Sequence, residues 1–197
     1  MLNKLRNWAT DFALGIRTTG IVETHITDGC HTSTVDYAIV ERVLNRLRLG
    51  PEDVFVDIGC GKGRVVCVAA RRKLCFVSGI ELSSDMAVIA AKNVERLRGR
   101  YSSAMINQND ATRYDYGQTT VAYLFHPFEA NVLEQVLAKI RVDRKGRRFR
   151  CAFVNLSPAQ EATFLRHQDW LTCTLRWIEK GKLVAIYATD RSGSDHC

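Results

Sequence analysis

Proline is scarce in this chain, three residues in 197, which excludes the composition of a proline-rich linker or a disordered segment. No apolar run approaches the roughly 20 residues of a membrane-spanning helix. The first residues, MLNKLRNWATDFALGIRTTG, lack the unbroken apolar core of a secretory signal and are expected to be mature chain. No CxxC pair occurs. The seven cysteines, Cys30, Cys60, Cys67, Cys75, Cys151, Cys173 and Cys197, are scattered and odd in number, which speaks against both a zinc site and a disulfide framework. Most lie in apolar segments, where a free cysteine behaves as a small core residue, and a reducing cytoplasm is the expected location. His25 and His31 have no further ligands at fitting spacing, so no metal is expected. There is no internal repeat and no low-complexity segment.

What is present suits one globular domain with a sizeable core: 46% of the residues are hydrophobic and 25% charged. Basic residues outnumber acidic ones, giving a net charge of +7. They cluster at Arg71-Arg72-Lys73, at Arg96 to Arg100 and at Arg141 to Arg150. Each cluster falls where a helix returns to the next strand, and solvated surface charge is the expected role. The N-terminal spacing suits an amphipathic helix whose Leu2, Leu5, Trp8, Phe12 and Leu14 pack against the domain.

From residue 53 short β-rich runs alternate with helical periodicity. DVFVDIG, CFVSGIE, SAMINQND, VAYLFHP and RCAFVNLS read as strands. GRVVCVAARR, SSDMAVIAAKNVERLRG, EANVLEQVLAKI and AQEATFLRHQ read as the helices between and after them, the last started by Pro158. WLTCTLRWI and KLVAIYATD, joined by three residues, pair as a hairpin. The expected fold is α/β: a doubly wound, mostly parallel seven-stranded sheet with an antiparallel C-terminal strand and an N-terminal helical extension. Residues 1–50 form that extension or lid, 51–190 the ligand-binding domain and 191–197 a frayed tail.

The first strand–helix turn of such a sheet is the usual ligand cradle. Here it reads VDIGCGKGR, with Gly59, Gly61 and Gly63. The third glycine comes one position too early for the dinucleotide fingerprint. Asp57, two residues before the first glycine, disfavours a pyrophosphate and suits a ligand bearing an ammonium group. This pattern resembles the nucleotide-binding motif of class I S-adenosylmethionine-dependent methyltransferases, over about residues 50–190. The resemblance implies S-adenosyl-L-methionine as cofactor. It places Asp57, Gly59, Cys60, Gly61 and Gly63 in the glycine loop, with Glu81 and Leu82 at the ribose. Asp110 and Ala111 then stand at the adenine, and Phe125 at the end of the fourth strand.

In amino-methylating relatives that fourth strand ends in Asn, Asp or Ser followed by two prolines and an aromatic. This chain departs from the pattern with His126, Pro127 and Phe128. Pro127 and Phe128 fit a wall that orients the acceptor, and His126 is a candidate general base or hydrogen-bonding wall residue. Loss of the usual amide or carboxylate makes nucleic acid an unexpected acceptor. A protein side chain or a small molecule remains, and the oligomeric state is left open. The loop after the fifth strand is short and the final hairpin tight, so cover for the acceptor is expected from the N-terminal extension, with His31 and Tyr37. The run DYAIVERVLNRLRLGPEDVFVDIGCGKGRV also resembles small bacterial and mitochondrial-type methyltransferases, some of which modify protein lysines. Histone-type lysine methyltransferases of the non-SET class share the layout. The resemblance implies methyl transfer to a nitrogen or oxygen acceptor, with a protein lysine amine slightly ahead; a small-molecule N- or O-methyltransferase and a methyltransferase-like binding module without turnover are the alternatives.

Overall fold

The computed structural model describes residues 2–20 and 34–189. Its strands are β1 (Val54–Ile58), β2 (Phe76–Glu81), β3 (Ala104–Gln108), β4 (Val121–Phe125), β5 (Arg150–Val154), β6 (Thr172–Glu179) and β7 (Lys182–Ala188). They form one sheet in the order β3-β2-β1-β4-β5-β7-β6. The first five run parallel, and β7 lies antiparallel between β5 and β6. Central strands covered on both faces need apolar residues at every position. Phe55, Val56 and Ile58 of β1 and all of β4 except Phe125 are accordingly buried, and the charged Asp57 is buried among them. The edge strands β3 and β6 instead leave nearly all their residues exposed or half-buried.

Two apolar layers sandwich the sheet. On one face α2 (Tyr37–Arg46), α3 (Arg64–Ala70) and α4 (Ser84–Arg96) cover Phe55, Val77, Tyr123 and Val154. On the other, α5 (Ala130–Arg144) and α6 (Pro158–Arg166) cover Val56, Ile58, Leu124 and Phe153. The apolar residues of α4 and α5 face inward: Met86, Ala90, Val94, Leu133, Val136, Leu137 and Ile140 are buried.

Helix α1 (Leu2–Leu14) overturns one expectation. Leu14 is buried, but Leu5, Trp8 and Phe12 are 63%, 62% and 72% exposed. The helix is held by its other face. Asn7 and Asp11 lie one turn apart on the same side as Leu14, and both make hydrogen bonds to the domain. The polar anchors fix the rotation of the helix and turn the Leu5–Trp8–Phe12 side to solvent.

The basic clusters lie at the end of the sheet away from the glycine loop, and only part of them is solvated surface. Arg144 donates to the carbonyls of Gly117 and Arg148. Arg150 bridges Asp53 at 2.6 Å and donates to the carbonyl of Leu47. No helix among the described residues is long and apolar enough to cross a membrane, and among those residues no group of ligands could hold a metal. His25, His31 and residues 191–197 fall outside the described residues.

Candidate active site

Parallel strands end together, so the β1, β2 and β4 termini bring three separate sequence motifs to one edge. The glycine loop leaves β1 with its backbone in the left-handed region at Gly59, Gly61 and Gly63 (φ 75°, 53° and 79°), which side chains disfavour. At Gly59 the requirement is also steric. A Cβ there would stand 2.4 Å from the Cβ of Pro127, so glycine lets the β4 loop press directly on the β1 loop. A Cβ at Gly61 would meet nothing within 4 Å, so that stretch of backbone is open to a ligand. Glu81, at the end of β2, holds the loop: its carboxylate accepts from Gly61 N–H at 2.8 Å and from Ser83 N–H at 3.0 Å. Ser83 is the N-cap of α4 and accepts from Met86 N–H. Leu82 beside it is 61% exposed.

Asp57 lies beneath this loop, 3% exposed. No described residue gives its carboxylate a hydrogen bond. Burial first, and the charge of Glu81 second, push its pKa well above the ordinary carboxylate value. The same burial, with Asp57 and Glu81 adding to it, raises the pKa of the Cys60 thiol. Asp110, after β3, is half-buried and accepts on one oxygen from the N–H and hydroxyl of Thr112. Those bonds, chiefly, lower its pKa, and its other oxygen makes no hydrogen bond within the described protein. Ala111 packs on the α5–α6 side of the core.

Phe125 is half-buried at the end of β4, with the Lys182 ammonium 5.6 Å from its ring centre. His126 follows with φ 41°, unusual for a residue bearing a side chain. Its Nδ1 lies 3.1 Å from Oε1 of Gln160 in α6. Phe128 packs on the α5–α6 layer, and its carbonyl accepts from Gln160. A cavity of about 280 Å³ opens beside Phe125, lined among others by Val35, Asp36, Ile39, Lys180 and Lys182.

The hairpin, expected to be too tight to supply a lid, contributes Lys180 and Lys182 to this lining beside residues of the N-terminal extension. Because β7 starts at the edge where β4 ends, the β6–β7 turn stands over that edge. Lys180 bonds Asp36 at 3.0 Å there. The inserted antiparallel strand was expected, and its direction was the signal for the position of the turn.

The Tyr37 side chain is engaged by the N-terminal segment and the glycine motif. It is buried, its hydroxyl donates to Asp11, and the Arg64 guanidinium lies 4.4 Å from its ring centre. Arg64, the last residue of the glycine motif, was not singled out from sequence and turns out to be the post of the N-terminal segment. It donates to Thr18 Oγ1 at 2.7 Å, Thr19 Oγ1 at 2.8 Å and the Val35 carbonyl at 2.7 Å, and lies 3.6 Å from Asp11. Lys62 donates to the Gly20 carbonyl, and Asn93 joins Arg17 to Lys62. The segment is therefore fastened to the back of the glycine loop.

With this geometry in place, comparison with known proteins gives a consistent picture. Residues 33–119, less than half of the chain, match the family model described as histone methylation protein DOT1. A protein-lysine N-methyltransferase of Saccharolobus islandicus is 27% identical over 108 residues, 54% of this chain and 65% of that protein. The H3 lysine-79 specific histone-lysine N-methyltransferase of Caenorhabditis elegans is 50% identical over 42 residues, 21% of this chain and 4% of that one. The matches thus span less than two thirds of either relative. An RNA methyltransferase from Salinibacter ruber, solved with S-adenosyl-L-homocysteine, superimposes with a TM-score of 0.65 at 21% identity. That superposition covers 83% of this chain and 97% of the other. The chain has the fold of the class I, Rossmann-like S-adenosylmethionine-dependent methyltransferases.

Proposed function

We propose that the chain is an S-adenosylmethionine-dependent methyltransferase that methylates a nitrogen or oxygen nucleophile, a protein lysine amine ahead of others. The observation that carries this reading is Asp57. A buried carboxylate without a donor is unfavourable, and a ligand ammonium at the glycine loop supplies the missing partner. A pyrophosphate there would worsen the charge. The residues present therefore fit the cofactor. Glu81 accepts one N–H on each oxygen and keeps lone pairs for the two ribose hydroxyls. The free oxygen of Asp110 suits an adenine amino group, and exposed Leu82 suits the face of the ring.

When bound, the cofactor supplies a methyl group already activated on a sulfonium. The protein's own work is alignment, exclusion of water and removal of a proton. Pro127, pressed on Gly59, and Phe125 wall the place where β4 meets the glycine loop, and His126 stands there as the base. Lysine is favoured because both sequence relatives bear the name of lysine methyltransferases. A second reading has one observation behind it. Lys180 and Lys182 line the cavity beside Phe125, and of the two only Lys180 has a carboxylate partner among the described residues. Such a mouth suits a small acceptor carrying a carboxylate or phosphate.

Calorimetric titration with S-adenosylhomocysteine, with NAD as control, tests the cofactor; binding of NAD alone would overturn the reading. Incubating a cell lysate with methyl-labelled cofactor then separates the acceptors. Label on protein lysines supports the first reading, and label confined to the small-molecule fraction replaces it with the second.

A further inference from the structure

Gln160 does more than cap a helix. It is fully buried, and its partners settle which way its amide points. Ser157 N–H donates to Oε1 at 3.0 Å, and a backbone N–H can only donate. Nε2 donates to the Phe128 carbonyl at 2.8 Å, and a carbonyl can only accept. The atom 3.1 Å from His126 Nδ1 is therefore an oxygen. Between an oxygen acceptor and a ring nitrogen there is a hydrogen bond only if the nitrogen carries the proton. In the neutral ring Nε2 then holds a lone pair, and no described residue bonds to it. Nδ1 faces buried Gln160, so Nε2, across the ring, is directed away from that buried amide. The ring is also held at a cost. The left-handed backbone of His126 is strained for a residue bearing a side chain, and it is flanked by Gln160 on one side and the Pro127–Gly59 contact on the other.

We propose that Gln160 is a positioning residue that fixes neutral His126 as its Nδ1–H tautomer, so that Nε2 takes a proton from the acceptor. The proposal rests on the reading of His126 as the base and names the acceptor class more closely: an ammonium, amine or hydroxyl, which must lose a proton, and not a thioether. The acceptor's N–H or O–H bond breaks as its proton passes to Nε2. The nucleophile's electron pair forms the bond to the methyl carbon, and the carbon–sulfur pair stays with the departing thioether. His126 is left as imidazolium and returns its proton to water.

His167 provides an internal comparison. Trp170 Nε1–H donates to its Nδ1 at 2.9 Å, so its neutral ring carries the proton on Nε2, which faces Glu134 at 2.8 Å. One long-range proton–nitrogen NMR spectrum of the full chain, recorded where the rings are neutral and assigned with His126→Ala, should show the two histidines as opposite tautomers. Gln160→Met should move His126 towards the Nε2–H form and lower methyl transfer in labelled lysate by about tenfold or more. Ser157→Ala removes the hydroxyl half of the cap but keeps the amide contact, and should leave the tautomer as it was. The unchanged His167 signal reports that each variant is folded. An Nε2–H ring at His126 in the unsubstituted protein, or an unaltered tautomer in Gln160→Met, overturns the proposal. If the tautomer moves but neither His126→Ala nor Gln160→Met changes label transfer, the base reading falls with the acceptor class. Gln160's hold on the ring then stands.

Discussion

Asp11 and Asp57 are two aspartates buried to nearly the same degree, 4% and 3% exposed, whose pKa values move in opposite directions. At Asp11 burial works to raise the pKa. It is outweighed by hydrogen bonds from the Tyr37 and Thr18 hydroxyls and the N–H groups of Thr18 and Thr19, so the net shift is downward. At Asp57 burial and the neighbouring Glu81 both act upward, and nothing opposes them. The N-terminal clamp supplies every donor its carboxylate needs, and the glycine loop supplies none. A folded chain seldom leaves a buried carboxylate so placed without a use. Asp11 is held by its own segment, and Asp57 is the carboxylate we propose for a ligand ammonium.

The largest effect should come from breaking the clamp. Arg64→Ala removes three donors and leaves Asp11 buried without its cation, at an expected loss of about 3–5 kcal/mol, read by urea unfolding. A loss below about 1 kcal/mol would mean that the apolar face of α2 holds the extension. Asp57→Asn should do the reverse. Ligand-free stability should hold or rise, while affinity for S-adenosylhomocysteine falls by about 10–100-fold, or about 1.5–3 kcal/mol, the range for a hydrogen bond to a charged group. Unchanged affinity would remove Asp57 from the site.

A third contrast lies in pH. The folded pKa of Asp57 is above its unfolded value near 3.8. Its contribution to ligand-free stability is therefore full below that value and lost as pH rises through the folded pKa. Asp11, lowered in the fold, contributes fully above its unfolded value and loses that contribution as pH falls through the folded one. An ammonium ligand favours ionised Asp57. Binding should then strengthen as pH rises through the Asp57 titration, and release a proton detectable as a dependence of the calorimetric enthalpy on buffer. Both signatures should vanish in Asp57→Asn.

How much of this was legible depends on distance along the chain. The glycine loop, the acidic strand ends and the alternation of strand and helix are local patterns, and a doubly wound, mostly parallel sheet followed from them with few choices left. The residues that were missed act across the sequence. Arg64 meets Thr18 from 46 positions away, and Gln160 meets His126 from 34. No local periodicity marks such partners. The rotation of α1 failed for a related reason. Its apolar spacing is real, but Asn7 and Asp11 carry the attachment, and their partners Asp36, Tyr37, Thr18 and Thr19 belong to separate segments.

The smallest effect sharpens the comparison most. Asp57 and Tyr123 are register neighbours on β1 and β4, and the fully buried Tyr123 hydroxyl has no hydrogen-bond partner among the described residues. An orphaned polar group therefore does not by itself mark a ligand contact, and the two differ in surroundings. Tyr123 is 0% exposed and belongs to the apolar layer under α2 and α3, whereas Asp57 keeps slight exposure directly below the glycine loop. Tyr123→Phe deletes the hydroxyl without changing the ring. It should leave S-adenosylhomocysteine affinity unchanged and stabilise the ligand-free protein by no more than about 1 kcal/mol, since no hydrogen bond is lost and a buried polar atom is removed. A fall in affinity would instead make the hydroxyl a donor to the ligand, and the pocket beneath the loop would reach one strand further across the sheet.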